Sequence, residues 1–164
     1  MIVIALGANL DSQAGTPSHT LRAALATLAE RNVRILTVSP FYKARAWPDP
    51  RDPDYVNAVA IVETGLEPAA LMRTMQQTET FYGRERSKRN APRTLDLDIA
   101  DYNGRIEDGP PTLPHPRLAD RAFVLVPLSD VAPGWRHPVT GKSVAELIAA
   151  LPDGLQGIAR LDTC

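Results

Sequence analysis

The stretch Ala91-Pro92-Arg93-Thr94-Leu95-Asp96-Leu97-Asp98-Ile99 joins a run of cations to a short strand pattern that carries two carboxylates. Because residues i and i+2 of a β-strand point to the same face, Asp96 and Asp98 should lie side by side, roughly 6–7 Å apart. Leu95, Leu97 and Ile99 should point the other way, into a core. Adjacent carboxylates repel each other unless a cation lies between them, and Mg²⁺ is usually held by one or two carboxylates plus substrate phosphates. The pattern therefore predicts a strand with one core face and one candidate metal face.

The residues before this strand bear on the same question. For an isolated Asp-x-Asp pair, the wet face of an edge strand is the commoner explanation. Here the pair follows a local excess of positive charge, on a chain with 18 Lys+Arg and 19 Asp+Glu. Carboxylate-bound metal and arginines can neutralise one polyphosphate from two sides, so the pattern favours a polyphosphate site. The cations in this segment are Arg84, Arg86, Lys88, Arg89 and Arg93.

The composition predicts one globular domain over residues 1–164, because a chain that is 44% hydrophobic and 23% charged can bury a core. The net charge of −1 gives no global attraction to nucleic acid or to an anionic membrane. No apolar run reaches the ~18–20 residues of a transmembrane helix. Met1-Ile2-Val3-Ile4-Ala5-Leu6 lacks the cationic region of a signal peptide, and the only cysteine is Cys164. We therefore expect a cytoplasmic protein without nucleic-acid or membrane partners. We also expect a monomer, although no residue pattern in the sequence bears on the oligomeric state.

The order of predicted elements gives the fold class. Gly7-Ala8-Asn9 is expected to turn the chain after the first strand, and residues 122–128 form a short apolar segment. The resulting order, β-α-β-β-α-β with additions after it, is the α+β ferredoxin-like plan, an antiparallel sheet with helices on one face. Helices near the C-terminus should cover the other face. Strands are predicted at 2–6, 33–42, 55–64, around the two aspartates and at 158–161, and helices at 16–31, at 68–83 and after the capping box Ser143-Val144-Ala145-Glu146.

Two further pairs of polar residues are candidates for a site. Tyr55 and Asn57 share a strand face, and a ring beside an amide that donates and accepts could recognise a flat heteroaromatic ligand. Such a pair is more often ordinary sheet surface. Gln76 and Glu79 are neighbours on the second helix, off its apolar stripe. We expect them to be ordinary surface residues unless that helix face borders the site.

His115, Arg117 and Arg121 follow a proline-rich loop and could contact phosphate, although a solvated loop explains them equally well. Standard nucleotide motifs do not account for the chain. Gly141-Lys142-Ser143 resembles the end of a P-loop, but that motif requires glycine at position 136, where Arg136 stands. This segment is therefore read as a turn and a helix N-cap.

Taken in order, the motifs resemble those of the 6-hydroxymethyl-7,8-dihydropterin pyrophosphokinase family over nearly the full chain. The most specific of them is Pro92-Arg93-Thr94-Leu95-Asp96-Leu97-Asp98-Ile99. The others are Leu6-Gly7-Ala8-Asn9-Leu10, Ser39-Pro40-Phe41-Tyr42, Asp54-Tyr55-Val56-Asn57-Ala58, Glu79 through Gly83-Arg84, Leu113-Pro114-His115-Pro116-Arg117 and Arg121-Ala122-Phe123-Val124-Leu125-Val126-Pro127-Leu128.

The resemblance implies transfer of diphosphate from ATP to a pterin hydroxymethyl group, with release of AMP, in folate biosynthesis. It implies that Asp96 and Asp98 hold two Mg²⁺ ions between ATP and the attacking hydroxyl. Catalysis would rest on these aspartates with Arg84, Arg86 and Arg93. The nucleotide would be bound by Gln76, Arg84, Arg86, His115 and Arg121. The pterin would be bound by Ala44, Ala46, Trp47, Tyr55, Asn57 and Phe123.

The chain departs from the family pattern in its loops. The family's pterin loop often carries Thr-Pro-Pro, where this chain has Ala44-Arg45-Ala46. Many members have tryptophan where Asn90 stands, and Trp47 could supply an aromatic contact from the facing loop instead.

Two rival functions remain open from the residues. A two-metal phosphodiesterase acting on nucleic acid could use the same aspartates, although the chain has no net basic charge and no third carboxylate nearby. A non-catalytic ligand-binding module is possible on a ferredoxin-like fold, but both Asp96 and Asp98, which a catalytically inactive member would be expected to lose, are present.

Overall fold

A six-stranded antiparallel sheet forms the centre of the computed structural model, which describes residues 1–85, 91–152 and 157–161. The strands are β1 (Ile2–Ala8), β2 (Arg34–Val38), β3 (Tyr42–Ala44), β4 (Tyr55–Glu63), β5 (Asp96–Tyr102) and β6 (Ile158–Arg160). The helices are α1 (Pro17–Glu30), α2 (Pro68–Phe81), α3 (Ala122–Val131) and α4 (Val144–Ala149), with a 3₁₀ turn at Leu118–Asp120. The strands lie in the order β5-β1-β4-β3-β6, and β2 also pairs with β4.

Alternation along β1 divides the core into two layers, because successive strand residues point to opposite faces. Ile2, Ile4 and Leu6 pack against α1 and α2, while Val3 packs against α3 and α4. The sheet therefore has helices on both faces, and the predicted ferredoxin-like α+β class is confirmed. The same alternation continues on β5, where Leu97 lies in the layer that packs against α1 and α2, the first core layer.

The predicted strand over 33–42 is two strands, β2 and β3, separated at Ser39-Pro40-Phe41. A proline has no N–H for the ladder, so pairing cannot run through Pro40. Ser39 takes over the pairing with β4 at this point. Its backbone N donates to Val59 O at 2.8 Å, and the Val59 N–H donates to Ser39 Oγ at 3.0 Å.

One local prediction was wrong. Gly7-Ala8-Asn9 was expected to turn the chain, but β1 continues through Ala8. The apolar segment 122–128 is the first part of helix α3, which tolerates Pro127 inside it. That helix buries Leu125 and Leu128 completely, so packing against the sheet outweighs the backbone hydrogen bond that proline removes.

The last helix begins as its capping box predicts, since Ser143 Oγ accepts a hydrogen bond from Glu146 N at 3.1 Å. Among the described residues, no helix combines the length and the apolar character needed to cross a bilayer.

Candidate active site

Two cavities, each with a volume of about 320 Å³, meet at Asp96. Both volumes fall in the usual range for small-molecule sites, about 300–1,000 Å³. We call the first the aromatic cavity; it is lined by Ala44, Arg45, Trp47, Tyr55, Asn57, Arg93, Asp96, Arg117, Asp120, Arg121 and Phe123. The second, the polar cavity, is lined by Met72, Met75, Gln76, Glu79, Arg84, Asp96, Leu97, Asp98, Ile99, Pro111, Thr112, His115 and Pro116.

The aromatic cavity brings together five of the six residues expected to bind a pterin. Tyr55 and Asn57 come from β4, Ala44 ends β3, and Phe123 lies in the first turn of α3. Trp47 reaches the cavity from the loop after β3. The sixth, Ala46, is buried (6% exposed) and does not line the cavity.

Asn57 contributes a side-chain amide to the lining of this cavity. It is only 5% exposed, yet no hydrogen bond to its side chain is found among the described residues. Buried amides are almost always hydrogen-bonded, so an open amide facing a cavity is suited to a ligand that both donates and accepts.

Gly7 is a site residue that sequence reasoning missed. It pairs with Asn57 on one side and with Asp96 on the other. A Cβ at this position would lie 2.8 Å from Asn57 Oδ1. The available signal was a glycine inside a strand pattern, which often marks a close approach rather than a turn.

Asp96 and Asp98 lie on the sheet face opposite Leu97, as predicted, across from the small residues Gly7 and Ala5 of β1. A cleft of about 20 Å³ touches both aspartates, together with Asn57 and Arg121 among others. That volume suits a single water-sized occupant.

The donor set fits a hard cation. In the part of the chain that the structure describes, no group of three or more His, Cys, Asp or Glu residues could hold a metal ion. A cation at this cleft would therefore have two carboxylates from the protein and would take its remaining oxygens from ligand and water, which is the usual arrangement for Mg²⁺.

Arginines neutralise this acidic pair from two sides. Arg84 Nη1 lies 2.8 Å and Arg93 Nη1 lies 3.2 Å from Asp96 Oδ1. Arg121 Nη1 lies 3.5 Å from Asp98 Oδ2. Burial, followed by the charge of Asp96, raises the pKa of Asp98 to about 6 despite these arginines. The arginines therefore do not fully offset the burial of Asp98 and its repulsion by Asp96.

Glu79 supports this network from helix α2. Its carboxylate is 3% exposed, pairs with Arg84 and accepts a hydrogen bond from Leu97 N at 2.9 Å. Burial raises the pKa of Glu79 to about 7 and outweighs both the Leu97 hydrogen bond and the attraction of Arg84. Glu79 thus orients Arg84 and holds the β5 backbone between the two aspartates.

Gln76 and Glu79 meet the condition set for a role in the site, because their helix face borders the polar cavity. Glu79, however, was placed wrongly off the apolar stripe. It stands four residues after the buried Met75 and eight after Leu71, so helical spacing puts it on the stripe. That spacing was the sequence signal for a buried carboxylate.

His115 approaches Asp98 from the loop after β5, with 3.8 Å between His115 Nε2 and Asp98 Oδ2. Its Nδ1 accepts a hydrogen bond from Arg117 N at 3.1 Å, so in the neutral ring Nε2 carries the proton. Burial and the charge of Arg121 lower the pKa of His115 to about 4. At neutral pH the imidazole is therefore an uncharged donor aimed toward the acidic pair.

The residues expected to bind the nucleotide divide between the cavities. Gln76, Arg84 and His115 line the polar cavity, whereas Arg121 lines the aromatic cavity, as does Arg93. Arg86, like Asn90, lies outside the described residues.

Comparison with known proteins identifies similar chains. The model of the family described as 7,8-dihydro-6-hydroxymethylpterin-pyrophosphokinase matches residues 3–133. A 2-amino-4-hydroxy-6-hydroxymethyldihydropteridine pyrophosphokinase of Haemophilus influenzae is 40% identical over 152 residues, 92% of each chain. The enzyme of the same name from Pseudomonas aeruginosa is 39% identical over 98% of this chain and 96% of the relative. The one from Synechocystis is 38% identical over 89% of this chain and 73% of the relative.

Solved structures share the fold at low sequence identity. HPPK-DHPS in complex with substrates gives a TM-score of 0.72 at 13% identity, and wild-type Plasmodium falciparum HPPK-DHPS with SDX-DHP gives 0.71 at 12%. Each match covers 99% of this chain and 47% of the other. The chain therefore spans a little under half the length of these two structures.

Proposed function

The chain belongs to the 7,8-dihydro-6-hydroxymethylpterin-pyrophosphokinase family, and from that membership we propose that it transfers diphosphate from ATP to 6-hydroxymethyl-7,8-dihydropterin, releasing AMP, in folate biosynthesis. The observation that carries the proposal is the pair of cavities sharing Asp96, with the acidic pair at their junction. A reaction between two small substrates requires two binding sites that meet where the bond is made.

The aromatic cavity takes the pterin and the polar cavity takes the nucleotide. Tyr55 and Phe123 offer aromatic surface to a flat ring, while Asn57 pairs with its polar edge. Gln76 and His115 offer neutral hydrogen-bond donors in the polar cavity, beside the Arg84 guanidinium.

Asp96 and Asp98 are the residues that would hold Mg²⁺, and we propose two ions. Bound there, the metal would neutralise phosphate charge and lower the pKa of the attacking hydroxyl. Two carboxylates on one strand face, the adjoining small cleft and the raised pKa of Asp98 support this assignment.

The reaction needs positioning and charge neutralisation more than a strong general base. The pterin hydroxyl oxygen attacks the β-phosphorus of ATP, the bond from that phosphorus to the oxygen shared with the α-phosphorus breaks, and the hydroxyl proton leaves. Arg84, Arg93 and Arg121 would exchange their carboxylate partners for phosphate oxygens, to which guanidinium groups can donate in bidentate fashion. Arg86 is proposed for the same role from the family resemblance alone.

We also propose a single domain over residues 1–164 that acts as a cytoplasmic monomer. Both core layers share one sheet, which supports the single domain.

The decisive experiment measures AMP, ADP and the pterin product with ATP, Mg²⁺ and 6-hydroxymethyl-7,8-dihydropterin. We expect AMP and the pterin diphosphate in equal amounts, and neither product when the pterin or Mg²⁺ is omitted. ADP formation, or AMP formation independent of the pterin, would overturn the proposal.

A further inference from the structure

Trp47 and Arg117 meet across the aromatic cavity. Trp47 lies three residues beyond the end of β3, and Arg117 stands directly before the 3₁₀ turn that begins at Leu118. Both line the cavity, and Arg117 Cζ lies 5.7 Å from the centroid of the Trp47 ring system. This distance is within the range of about 6 Å for a cation–π interaction. The contact therefore joins two loops that come from different parts of the sheet.

Trp47 lies outside the core, next to a segment that is fixed by burial and by a backbone hydrogen bond. Trp47 is 64% exposed to solvent, whereas Ala44 and Ala46 are 5% and 6% exposed. Arg45 N donates to Gly157 O at 3.2 Å, which ties the same segment to the start of β6. Trp47 thus lines the cavity as a largely exposed side chain, and the Arg117 guanidinium lies over its ring system.

Arg117 is anchored beside the polar cavity. Its backbone N donates to His115 Nδ1 at 3.1 Å, and Leu118 N donates to His115 O at 3.0 Å. Leu118 is buried at 1% exposure. The guanidinium therefore extends toward Trp47 from a fixed point, and that point is next to the histidine that faces the acidic pair.

We propose that Trp47 and Arg117 form a clasp over the aromatic cavity, in which Arg117 is a positioning residue that holds the indole against the bound pterin ring. The inference rests on the proposed function. A cation–π interaction strengthens when water is excluded from it. A pterin stacked on the indole excludes that water, so the interaction between Trp47 and Arg117 becomes stronger on binding. This gain in interaction energy increases the affinity for the pterin.

The test is a double-mutant cycle on pterin affinity. Wild type, Arg117→Ala, Trp47→Ala and the double variant are titrated with 6-hydroxymethylpterin by calorimetry, with Mg²⁺ and a non-hydrolysable ATP analogue present. We expect Arg117→Ala to raise Kd about three- to tenfold, the range for a cation–π contact. In the Trp47→Ala background the same change should have little further effect, because the partner ring is already absent.

Three single variants separate the clasp from simpler causes. Arg117→Lys keeps a cation for the ring and should recover part of the affinity. Arg45→Ala removes another positive charge from the same cavity and should show no coupling to Trp47→Ala. Arg34→Ala removes an exposed arginine at the start of β2, where it pairs only weakly with Glu63, and should match wild type. Thermal melts of every variant report any loss of folding.

The outcomes are distinguishable. If wild type does not bind the pterin, the proposed function fails and the clasp fails with it. If wild type binds but the effects of Arg117→Ala and Trp47→Ala add independently, the clasp alone is overturned. Loss of affinity in Arg117→Ala that disappears in the Trp47→Ala background supports it.

Discussion

The two cavities that meet at Asp96 are built on different physical principles. The aromatic cavity has ring surfaces from Tyr55 and Phe123 and one open amide from Asn57. The polar cavity depends on buried charges that neutralise one another, with Glu79 beneath Arg84 and Arg84 beside Asp96. A site that binds through surface complementarity loses a modest part of its ligand affinity when one side chain is removed. A network of buried charges loses more free energy when one of its members is left without a partner. Substitutions in the two cavities should therefore differ in size and in the quantity they change.

The largest effect should come from Asp98→Ala at the junction. Its side chain faces away from the first core layer, so folding should survive, while loss of the metal clamp should cost roughly 4 kcal/mol of transition-state stabilisation, on the order of a thousandfold in AMP release. The turnover assay and a thermal melt are run together. Asp108→Ala, on an exposed loop, is the matched control. Near-normal turnover in Asp98→Ala would remove the acidic pair from the mechanism.

Glu79→Ala should damage stability as well as turnover. It leaves the buried Leu97 N–H without an acceptor and leaves Arg84 with Asp96 as its remaining carboxylate partner, which should cost about 2–3 kcal/mol of the free energy of unfolding. Denaturant unfolding measures that loss. If stability is unchanged, the charge network is not what holds the polar cavity together.

The pH dependence of stability tests Glu79 without deleting its side chain and so without creating a void in the protein. The folded-state pKa of Glu79, about 7, lies above its ordinary 4.5, so the folded protein binds more protons than the unfolded chain between those values. Stability should therefore fall as pH rises from 4.5 through 7. Glu79→Gln should flatten this part of the profile relative to wild type. An identical slope in the two proteins would contradict the raised pKa.

In the aromatic cavity, Asn57→Ala should weaken pterin binding by about 1–3 kcal/mol, because polar atoms of the ligand would be buried without a partner. ATP-analogue affinity should change little. Calorimetry with each ligand separately measures the difference. An equal loss for both ligands would mean that the cavities are not distinct in function.

The smallest expected effect sharpens the comparison further. In Gly7→Ala the added Cβ, 2.8 Å from Asn57 Oδ1, forces the amide to shift by a few tenths of an ångström or more. We expect pterin affinity to fall by roughly 1 kcal/mol, as for a misplaced hydrogen bond, with ATP-analogue affinity near wild type. The same titrations decide it, and unaltered pterin affinity would show that the amide position is not critical.

The sequence predicts best where one element carries the whole signal. The acidic pair and the Tyr55/Asn57 pair each rest on period-two spacing within one strand, and the structure has both pairs on shared faces. Glu79 was misjudged because polarity was given more weight than helical spacing. No element was predicted for the apolar segment that forms helix α3, and only tertiary packing explains why that helix tolerates Pro127.

The meeting of the two cavities could not be predicted, since it depends on β1 lying between β4 and β5. That order puts Gly7 between Asn57 and Asp96, residues from strands far apart in the chain. Sequence reasoning identified the residues on each strand but had no measure of the distance between strands.

The contacts of Glu79 have a consequence for the chain in a crowded solution. β5 ends the described sheet, and an open strand edge is a template on which another chain can add a strand. Glu79 occupies the Leu97 N–H, and His115 N donates to Ala100 O at 2.9 Å. The Glu79 side chain and the loop backbone at His115 thus each bind one backbone group on that edge. We therefore expect residues that shape the polar cavity also to limit edge-to-edge association, and a variant that loses Glu79 should be tested for self-association as well as for activity.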